Sequence, residues 1–509
     1  MNLKHRTASQ VDILLLLEGT YPYVSGGVAT WVHQLIKLFP EYTFGVIFIG
    51  GQRKDYGDLR YDLPDNLIHL ESHYLFETEK PALTEKKCPV DAHAFGQLTC
   101  LHQQFANAGE KDYLSMLSCI DQHFSQKDHV TLNDVLHSRE SWDYITQAYQ
   151  EKASQTSFLN FFWSIRNMHQ PLWKLFELFP HLPKAKLLHS ASTGYAGFLG
   201  ALVKEKTKTP FVVTEHGIYI KERRIDLMYP AWLDNSYFTN ARDFRTHNDT
   251  TNRWTHFFEI LGKFCYASAE TIISLFPAYQ QSQIAYGANP EKALIIPNGV
   301  LVNETLITPK KTPNQDAPII ACIGRVVSIK DVKNFIRSML FILKQFPKAT
   351  AWIIGETTED KQYYQECVEL ITVLDLKSNV LFKGKQNVAE ILKSIDVVVI
   401  SSISEGLPLV VLESFAAGVP VVSTDVGACR ELIDGANAAD QALGSAGAVV
   451  DISDSAALGQ GVTSLLSDPA RWQAAQETAL KRVNAYYSLT HFRDNYAKVY
   501  QQGLSSWQA

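Results

Sequence analysis

Short, uninterrupted apolar runs that alternate with helix-type patterns constrain this chain more than any other feature of its sequence. A first series opens with VDILLLL and continues with AKLLHS, PFVVT and TIISLF. A second series runs through PIIACIGR, ATAWIIG, NVLFKG, DVVVIS and VPVVST. Such runs are typical of parallel strands buried on both faces, and connections between parallel strands are usually helices. The pattern therefore predicts an α/β protein with two Rossmann-like domains.

The length and the spacing of these runs predict where the domains lie. A chain of 509 residues exceeds the roughly 250–300 residues at which single cores stop growing. The polar stretch NETLITPKKTPNQDAP separates the two series and has the composition of a linker. We expect a first domain over 1–300, a second over 317–485, and a helix over 486–509 that crosses back to the first domain. Between about 71 and 183, helical periodicity, as in 133–151, predicts a helical insertion.

Composition excludes several classes of function. The formal net charge of -6 leaves no broad basic surface for nucleic acid or for an anionic membrane. The seven cysteines are scattered and never spaced as C-x-x-C, which predicts free thiols and no zinc site. The apolar run that ends before Glu18 is too short for a signal sequence or a membrane span. We expect a soluble, cytoplasmic protein.

The segment SEGLPLVVLE follows a predicted buried strand and runs into a helix whose first turn suits Pro408. Backbone N–H groups and the positive end of the helix dipole then lie above the strand end, with Glu405 in the loop and Glu413 on the helix. Carboxylates in this position can accept hydrogen bonds from sugar hydroxyls. The structural alternative, in which Glu405 caps the helix and Glu413 is a buried packing partner, stays open for the pattern alone. Its place at the carboxyl end of a strand favours a ligand site.

Two cations, Arg325 and Lys330, lie on another strand-to-helix connection, GRVVSIK. They can neutralise a diphosphate leaving group without a metal ion, although a loop with solvated charges is an equal alternative. The sequence contains no Asp-x-Asp pair, which is the usual holder of a nucleotide-bound divalent ion. We predict metal-independent chemistry and no cofactor if the chain is a transferase.

The first domain offers two further candidates. Gly26-Gly27 follows the first strand at the start of a helix, where adjacent glycines allow the backbone to approach a phosphate or a sugar. His216, in TEHG, follows the strand PFVVT directly. A tight turn and a structural histidine are the respective alternatives. The first loop does not match G-x-G-x-x-G, which disfavours a dinucleotide oxidoreductase.

In chain order, Gly26-Gly27, His216, Arg325, Lys330 and Glu405/Glu413 resemble the site residues of the GT4 family of retaining glycosyltransferases. The resemblance covers most of the chain outside the insertion. It implies the GT-B fold, in which two Rossmann-like domains flank an interdomain cleft. The segments EGTYPYVSGGVATWVHQL, TEHGIY, IPNGV and EGLPLVVLESFAAGVPVVSTDVG resemble more narrowly the cytosolic glycosyltransferases of Pel exopolysaccharide synthesis.

The resemblance assigns roles residue by residue. Arg325 and Lys330 would hold the donor diphosphate, Glu413 the ribose, and Glu405 the transferred sugar, while His216 would lie beside that sugar. The expected catalytic residues are His216, Glu405, Arg325 and Lys330. The expected donor-binding residues are Gly26, Gly27, Arg325, Lys330, Gly384, Glu405, Gly406, Leu407, Pro408, Leu409 and Glu413. Leu407 stands where the family usually has an aromatic residue, which puts the detail of the sugar contacts in doubt.

The resemblance also implies the reaction and its partners. The mechanism would be front-face substitution with retention, in which the departing phosphate oxygen helps to deprotonate the acceptor hydroxyl. The donor would be a UDP-hexose or UDP-N-acetylhexosamine, the acceptor a glycan, and an inner-membrane Pel synthesis complex a docking partner. A sugar-nucleotide epimerase and a non-catalytic nucleotide-binding scaffold are the alternatives. The sequence does not fix the sugar, the base, the acceptor or the oligomeric state.

Overall fold

The computed structural model describes residues 3–77, 96, 110–125, 129–152, 157–228, 244–302 and 312–507. The chain divides into two units, Met1–Ile295 with Tyr496–Ala509, and Ile296–Asn495. The segments 78–95 and 97–109 of the predicted insertion and 303–311 of the predicted linker lie outside the described residues.

The first unit contains an eight-stranded sheet in the order β1-β4-β3-β2-β5-β6-β7-β8. Every neighbouring pair is parallel except β1 and β4. Strands β2 and β5 are neighbours although the chain visits β3 and β4 between them, so the order reverses there. The strands are Leu3–Arg6, Gln10–Glu18, Phe44–Gly50, Leu67–Tyr74, Lys184–Ser190, Phe211–Glu215, Thr271–Ser274 and Ala293–Ile295.

The helices of the first unit cover a core made by the apolar strand runs. A Val/Leu/Ile-rich strand such as β2 is buried almost throughout because helices pack on both of its faces. The described helices, α1 to α9 in chain order, are Gly27–Leu38, Glu110–Phe124, Leu132–His137, Arg139–Lys152, Phe158–Leu178, Tyr195–Thr207, Tyr219–Met228, Phe244–Ser268 and Pro277–Ala285.

Four of these helices, α2 to α5, lie between β4 and β5, where the sequence predicts a helical insertion. The periodicity over 133–151 predicts one helical stretch, but the structure has two helices, α3 and α4, which are separated at Ser138. Ser138 has extended backbone angles, φ -77 and ψ 159, and so it ends α3. The apolar periodicity continues across Ser138, so it does not reveal that this one residue leaves the helical conformation.

The second unit contains a six-stranded parallel sheet in the order β11-β10-β9-β12-β13-β14. Its order reverses between β9 and β12, as in doubly wound α/β folds. The strands are Ile319–Ile323, Thr350–Ile354, Val380–Gly384, Val397–Ile400, Val421–Thr424 and Gly447–Val450. The helices, α10 to α18, are Val332–Gln345, Lys361–Val373, Val388–Ile391, Leu409–Ala416, Cys429–Asp434, Ala438–Gln441, Ser455–Leu466, Pro469–Tyr486 and Leu489–Ser506.

The last helix, α18, begins in the second unit and ends in the first, because the division falls at Tyr496. Within the first unit, the hydroxyl of Tyr500 shares a hydrogen bond of 2.9 Å with Nδ1 of His189. The hydroxyl of Tyr496 lies 3.1 Å from Oγ1 of Thr214. These buried contacts attach the end of the chain to strands β5 and β6.

The predicted pair of Rossmann-like parallel sheets is therefore confirmed. Across the described segments, no helix combines the length and the apolar character that crossing a membrane requires. Five cysteines of these segments, Cys119, Cys265, Cys322, Cys367 and Cys429, are free thiols.

Candidate active site

Two loops of the second unit meet at the point where its strand order reverses. One loop follows β9 and carries Arg325 and Lys330; the other follows β12 and carries Glu405. The backbone N–H of Ile403 donates to the carbonyl of Ile329 at 2.9 Å, and Ser401 Oγ donates to the carbonyl of Lys330 at 2.9 Å. These bonds hold the two loops together at the edge where open α/β sheets bind ligands.

The side chains of Lys330 and Glu405 pair directly across these loops. Nζ of Lys330 donates to Oε1 of Glu405 at 2.6 Å, and Ser402 Oγ donates to the same oxygen at 2.5 Å. The N-cap of the following helix is Pro408, whose own side chain makes no cap hydrogen bond. The sequence predicts that Pro408 lies in the first turn of this helix. The helix begins at Leu409, so Pro408 precedes the first turn by one residue.

Arg325 is more exposed than Lys330. Its Nη1 donates to Oε1 of Glu359 at 2.6 Å, and both side chains are about half exposed. A pair this exposed is weak, since solvent screens it and two long side chains lose freedom to form it. The guanidinium can therefore exchange Glu359 for the oxygens of a phosphate, for which its planar donor fork is well suited.

Gly427 shapes the loop that contains Gly406 and Leu407. It has φ +53, and a Cβ at this position would lie 2.2 Å from the carbonyl oxygen of Gly406. The next residue, Ala428, donates its N–H to that same oxygen at 2.9 Å. Leu407 is buried beneath the loop. Gly427 is a site-shaping residue that the sequence analysis did not single out, although it lies three residues after the predicted strand VPVVST.

Glu413 is half-buried on the helix after this loop. Its carboxylate has no hydrogen bond or ion pair with the residues that the structure describes, which does not support a role as a buried packing partner. Burial raises its pKa. Gly384, at the end of β11, has φ +62 and open space where a Cβ would be. Both residues are partly exposed.

In the first unit, Gly26 and Gly27 lie where β2 leads into α1. Gly26 is the N-cap with extended angles, φ 170 and ψ 178, that any residue can adopt. A Cβ at either glycine would meet nothing within 4 Å. Neither the backbone conformation nor a contact within the described chain therefore requires glycine here, which weakens the tight-turn alternative. Small residues at the open N-terminus of a helix do suit a close-lying anionic ligand.

His216 follows β6 and packs edge-on against Trp31, with ring centroids 4.5 Å apart. Its Nε2 is buried and has no hydrogen-bond partner among the described residues. Burial lowers the pKa of His216 to about 3, so the imidazole is neutral near pH 7. A neutral ring with an open nitrogen can donate or accept one hydrogen bond to a sugar hydroxyl, according to its tautomer.

Glu215, the residue before His216, is a buried carboxylate that the sequence analysis did not single out. Burial raises the pKa of this carboxyl group, while the hydrogen bonds that it accepts lower the pKa, and the bond from Tyr266 has the largest lowering effect. Its signal in the sequence is an acidic residue at the carboxyl end of an apolar strand. The donors to its oxygens are Thr193 Oγ1 at 2.8 Å, Tyr266 OH at 2.5 Å, Gln283 Nε2 at 3.0 Å and the N–H of Tyr219 at 3.3 Å. The network anchors the loop that presents His216.

The sequence-predicted residues thus form two groups. Arg325, Lys330, Gly384, Glu405–Leu409 and Glu413 belong to the second unit, and Gly26, Gly27 and His216 to the first. In the described parts of both units, no cluster of three or more His, Cys, Asp or Glu residues could hold a metal ion. The group in the second unit offers two cations, Arg325 and Lys330, for an anionic leaving group and two carboxylates, Glu405 and Glu413, for hydroxyls.

Two family models together cover most of the chain. Residues 11–291 match the family described as "Domain of unknown function (DUF3492)", and residues 303–482 match "Glycosyl transferases group 1". The lipopolysaccharide core biosynthesis mannosyltransferase LpcC of Rhizobium leguminosarum bv. viciae is 30% identical over 188 residues. That match covers 36% of this chain and 51% of LpcC, so the chain spans about half the length of this curated relative.

Solved structures resemble the chain over nearly its whole length. Sucrose-phosphate synthase from Thermosynechococcus elongatus has a TM-score of 0.57 at 15% identity, over 97% of this chain and 100% of that structure. Anabaena HepE in complex with UDP and glucose has a TM-score of 0.55 at 14% identity, over 96% and 100%. At such identities the likeness shows the fold alone. With the two parallel sheets and the group 1 domain, it confirms the predicted GT-B fold class.

Proposed function

Because this chain belongs to the DUF3492 family and carries a glycosyl transferases group 1 domain, we propose that it is a glycosyltransferase. It moves a sugar from a nucleotide diphosphate sugar to an acceptor glycan. The observation that carries the proposal is the Lys330–Glu405 pair at the reversal of strand order in the second unit. Arg325 is on the same loop as Lys330, and Glu413 is on the helix that follows the loop of Glu405. The group 1 domain of the chain contains all four residues.

Each residue has a defined task in this proposal. Arg325 and Lys330 bind the diphosphate and stabilise the negative charge that grows on it as the glycosidic bond breaks. Electrostatic stabilisation of this kind is usually the largest single contribution to an enzyme's rate enhancement. Glu413 accepts hydrogen bonds from the ribose hydroxyls. Glu405 orients Lys330 and binds the transferred sugar with the backbone N–H groups of Gly406 and Leu407.

The resemblance to the GT4 family gives residues of the first unit roles as well. Gly26 and Gly27 let the start of α1 approach the donor closely, and His216 offers its unpartnered Nε2 to a hydroxyl of the transferred sugar. A neutral imidazole is a poor base at pKa about 3. His216 is therefore unsuited to deprotonate the acceptor hydroxyl. The retaining, front-face mechanism, in which the departing phosphate takes that proton, comes from the resemblance to the GT4 family.

The finer assignment rests on the sequence segments described above. We propose a PelF-type enzyme of the cytoplasm that uses a UDP-hexose or UDP-N-acetylhexosamine to build the Pel exopolysaccharide, without a metal or cofactor. Two of the similar proteins suggest which donors to compare. One is named a mannosyltransferase, and the other was solved in complex with UDP and glucose. Docking on an inner-membrane Pel complex, with the helical insertion as the contact, is part of this assignment.

Calorimetric titration of the full chain tests the proposal directly. UDP, GDP and ADP are compared first, followed by UDP-glucose, UDP-N-acetylglucosamine, UDP-N-acetylgalactosamine and GDP-mannose. We expect one nucleotide diphosphate to bind and its sugar nucleotide to be slowly hydrolysed without an acceptor, with a product whose anomeric configuration is retained by NMR.

Other outcomes of this experiment identify the alternatives. Formation of a new sugar nucleotide from the donor alone would identify an epimerase. Tight binding with neither hydrolysis nor transfer to any glycan in an acceptor panel would identify a non-catalytic scaffold. If no nucleotide diphosphate binds, the proposal is wrong.

A further inference from the structure

Glu18 ends β2 at the place where the strand order of the first sheet reverses. Its Oε1 accepts a hydrogen bond from the hydroxyl of Tyr219 at 2.7 Å, and its Oε2 accepts one from the N–H of Ala196 at 3.4 Å. A Cβ on Gly194 would lie 2.6 Å from Oε2. The missing side chain at Gly194 therefore lets the carboxyl group reach the N-terminus of α6, which follows the neighbouring strand β5.

Capping of α6 explains the position of Glu18 but not two donors beside it. The hydroxyl of Tyr195 is buried and has no hydrogen-bond partner among the described residues, and the same is true of Nε of Arg223. The Glu18 carboxylate links these two residues, because it binds the N–H of Ala196, the residue after Tyr195, and also the hydroxyl of Tyr219, over whose ring the guanidinium of Arg223 lies.

Packing holds these groups in place. The rings of Tyr195 and Tyr219 both contact Phe258, with centroids 6.0 Å and 5.7 Å away. The guanidinium of Arg223 lies over the ring of Tyr219 at 5.3 Å. Because Tyr195 is only 5% exposed, its unpaired hydroxyl costs folding free energy without any return from a contact within the described chain. Such a cost is often retained where a ligand supplies the missing partner.

The chemistry of the cluster selects the kind of ligand. Glu18 supplies an acceptor, while Tyr195 and Arg223 supply donors. Asp226 already pairs with Nη2 of Arg223 at 3.0 Å. The Glu18 carboxylate in the same cluster would repel an anion. A neutral polyol suits this arrangement, because each hydroxyl group both donates and accepts.

We propose that Glu18, Tyr195 and Arg223 form a saccharide-binding subsite of the first unit that orients the acceptor glycan. This inference rests on the proposed glycosyltransferase function. The location supports it, since ligands of open α/β sheets bind at the carboxyl ends of the strands where the order reverses. β2 and β5 are the strands that meet there, and they carry Glu18 and the connection to Tyr195.

The test is the variant Tyr195→Phe, which removes only the unpaired hydroxyl. Saturation-transfer NMR uses the methyl glycosides of glucose, galactose, mannose, N-acetylglucosamine and N-acetylgalactosamine with the full chain. We expect the wild type to bind at least one of them, and Tyr195→Phe to bind it on the order of tenfold more weakly. Its thermal midpoint should be unchanged or higher, because no hydrogen bond of the described chain is lost.

Tyr500→Phe is the matched control, since it removes a buried hydroxyl that does have a partner, His189. It should lower the thermal midpoint and leave glycoside binding unchanged. Glu18→Gln, which keeps an oxygen for the α6 N-terminus, should weaken glycoside binding as Tyr195→Phe does. Unchanged binding in both subsite variants, or no binding of any glycoside by the wild type, would overturn the inference.

UDP titration and donor hydrolysis in the same samples separate this inference from the proposed function. If the wild type binds a glycoside through Tyr195 but neither binds nor hydrolyses any sugar nucleotide, the subsite stands and the transferase proposal fails. If all variants hydrolyse the donor and Tyr195→Phe binds glycosides as the wild type does, the transferase proposal stands and the subsite fails.

Discussion

The ammonium group of Lys330 and the carboxylate of Glu405 form one hydrogen-bonded ion pair at 2.6 Å, although 75 positions separate them in the chain. Ser402 donates to the same carboxylate oxygen and fixes its position further. The ammonium is therefore held by a partner before any ligand arrives, and a diphosphate would meet a cation that is already oriented. Such preorganisation is what makes fixed charges effective in catalysis.

Lys330 and Glu405 should act as a unit in a double-mutant cycle. We expect Lys330→Ala and Glu405→Ala each to reduce transfer by on the order of 10²–10³, and the double variant to lose little more, because either change destroys the same arrangement. Steady-state kinetics with the preferred donor measures this. Lys333→Ala is the matched control, since Lys333 pairs with Glu366 in the same unit at 2.5 Å. Additive losses would show that the two residues work separately.

Arg325 should bind the diphosphate by exchanging Glu359 for phosphate oxygens. Arg325→Ala and Arg325→Lys should both impair turnover and UDP affinity, the latter because an ammonium cannot reproduce the two-donor fork. Glu359→Ala should change turnover little, since a half-exposed pair contributes only about 0–1 kcal/mol. Turnover should also persist in EDTA. Loss of wild-type turnover in EDTA with rescue by Mg²⁺ or Mn²⁺ would contradict the metal-independent assignment.

Glu413 should destabilise the ligand-free protein at neutral pH. Burial raises its folded-state pKa above the ordinary value of 4.5. The folded state therefore keeps the proton to higher pH than the unfolded state, and the contribution of Glu413 to stability is lost as the pH rises through the folded pKa. Glu413→Gln should be equal to the wild type in acid and more stable at pH 8, by urea unfolding, while UDP binds it more weakly. A constant difference at every pH would refute this.

Two histidines should make the protein sensitive to mild acid. Burial lowers the pKa of both His189 and His216 to about 3. Between pH 6.5 and about 3 the unfolded state therefore binds more protons, so stability falls as the pH falls, with a slope of about 1.4 kcal/mol per pH unit for each fully titrating imidazole. His189→Gln should reduce the slope in urea unfolding between pH 6 and 4.5. An unchanged slope in His189→Gln would contradict this prediction.

Gly427→Ala should disable the Glu405–Leu407 loop without unfolding the second unit. A Cβ there would lie 2.2 Å from the Gly406 carbonyl oxygen, and φ is +53, so the loop must move. We expect loss of UDP binding in calorimetry with a retained circular dichroism spectrum. Gly384→Ala is a useful comparison, since its φ of +62 carries similar backbone strain but open space surrounds it. Equal effects of the two substitutions on UDP binding would remove the steric argument.

The amino-acid sequence by itself determined the two parallel sheets and the loops that carry the site. Runs such as VDILLLL and DVVVIS can be buried only between two layers of helices, so local composition fixes their role. The positions of Gly26, His216, Arg325 and Glu405 in the connections after such runs then follow, because the chain leaves every parallel strand at the same edge.

The tertiary structure alone decided which of these residues meet. Lys330 contacts Glu405 only because β9 lies beside β12, and Glu18 contacts the N–H of Ala196 only because β2 lies beside β5. Strand order has no signature in local periodicity. The same holds for the contact of Gly427 with Gly406 and for the absence of a partner for Glu413 among the described residues. Each depends on what packs against a residue from a distant part of the chain, which a pattern of neighbours along the sequence does not contain.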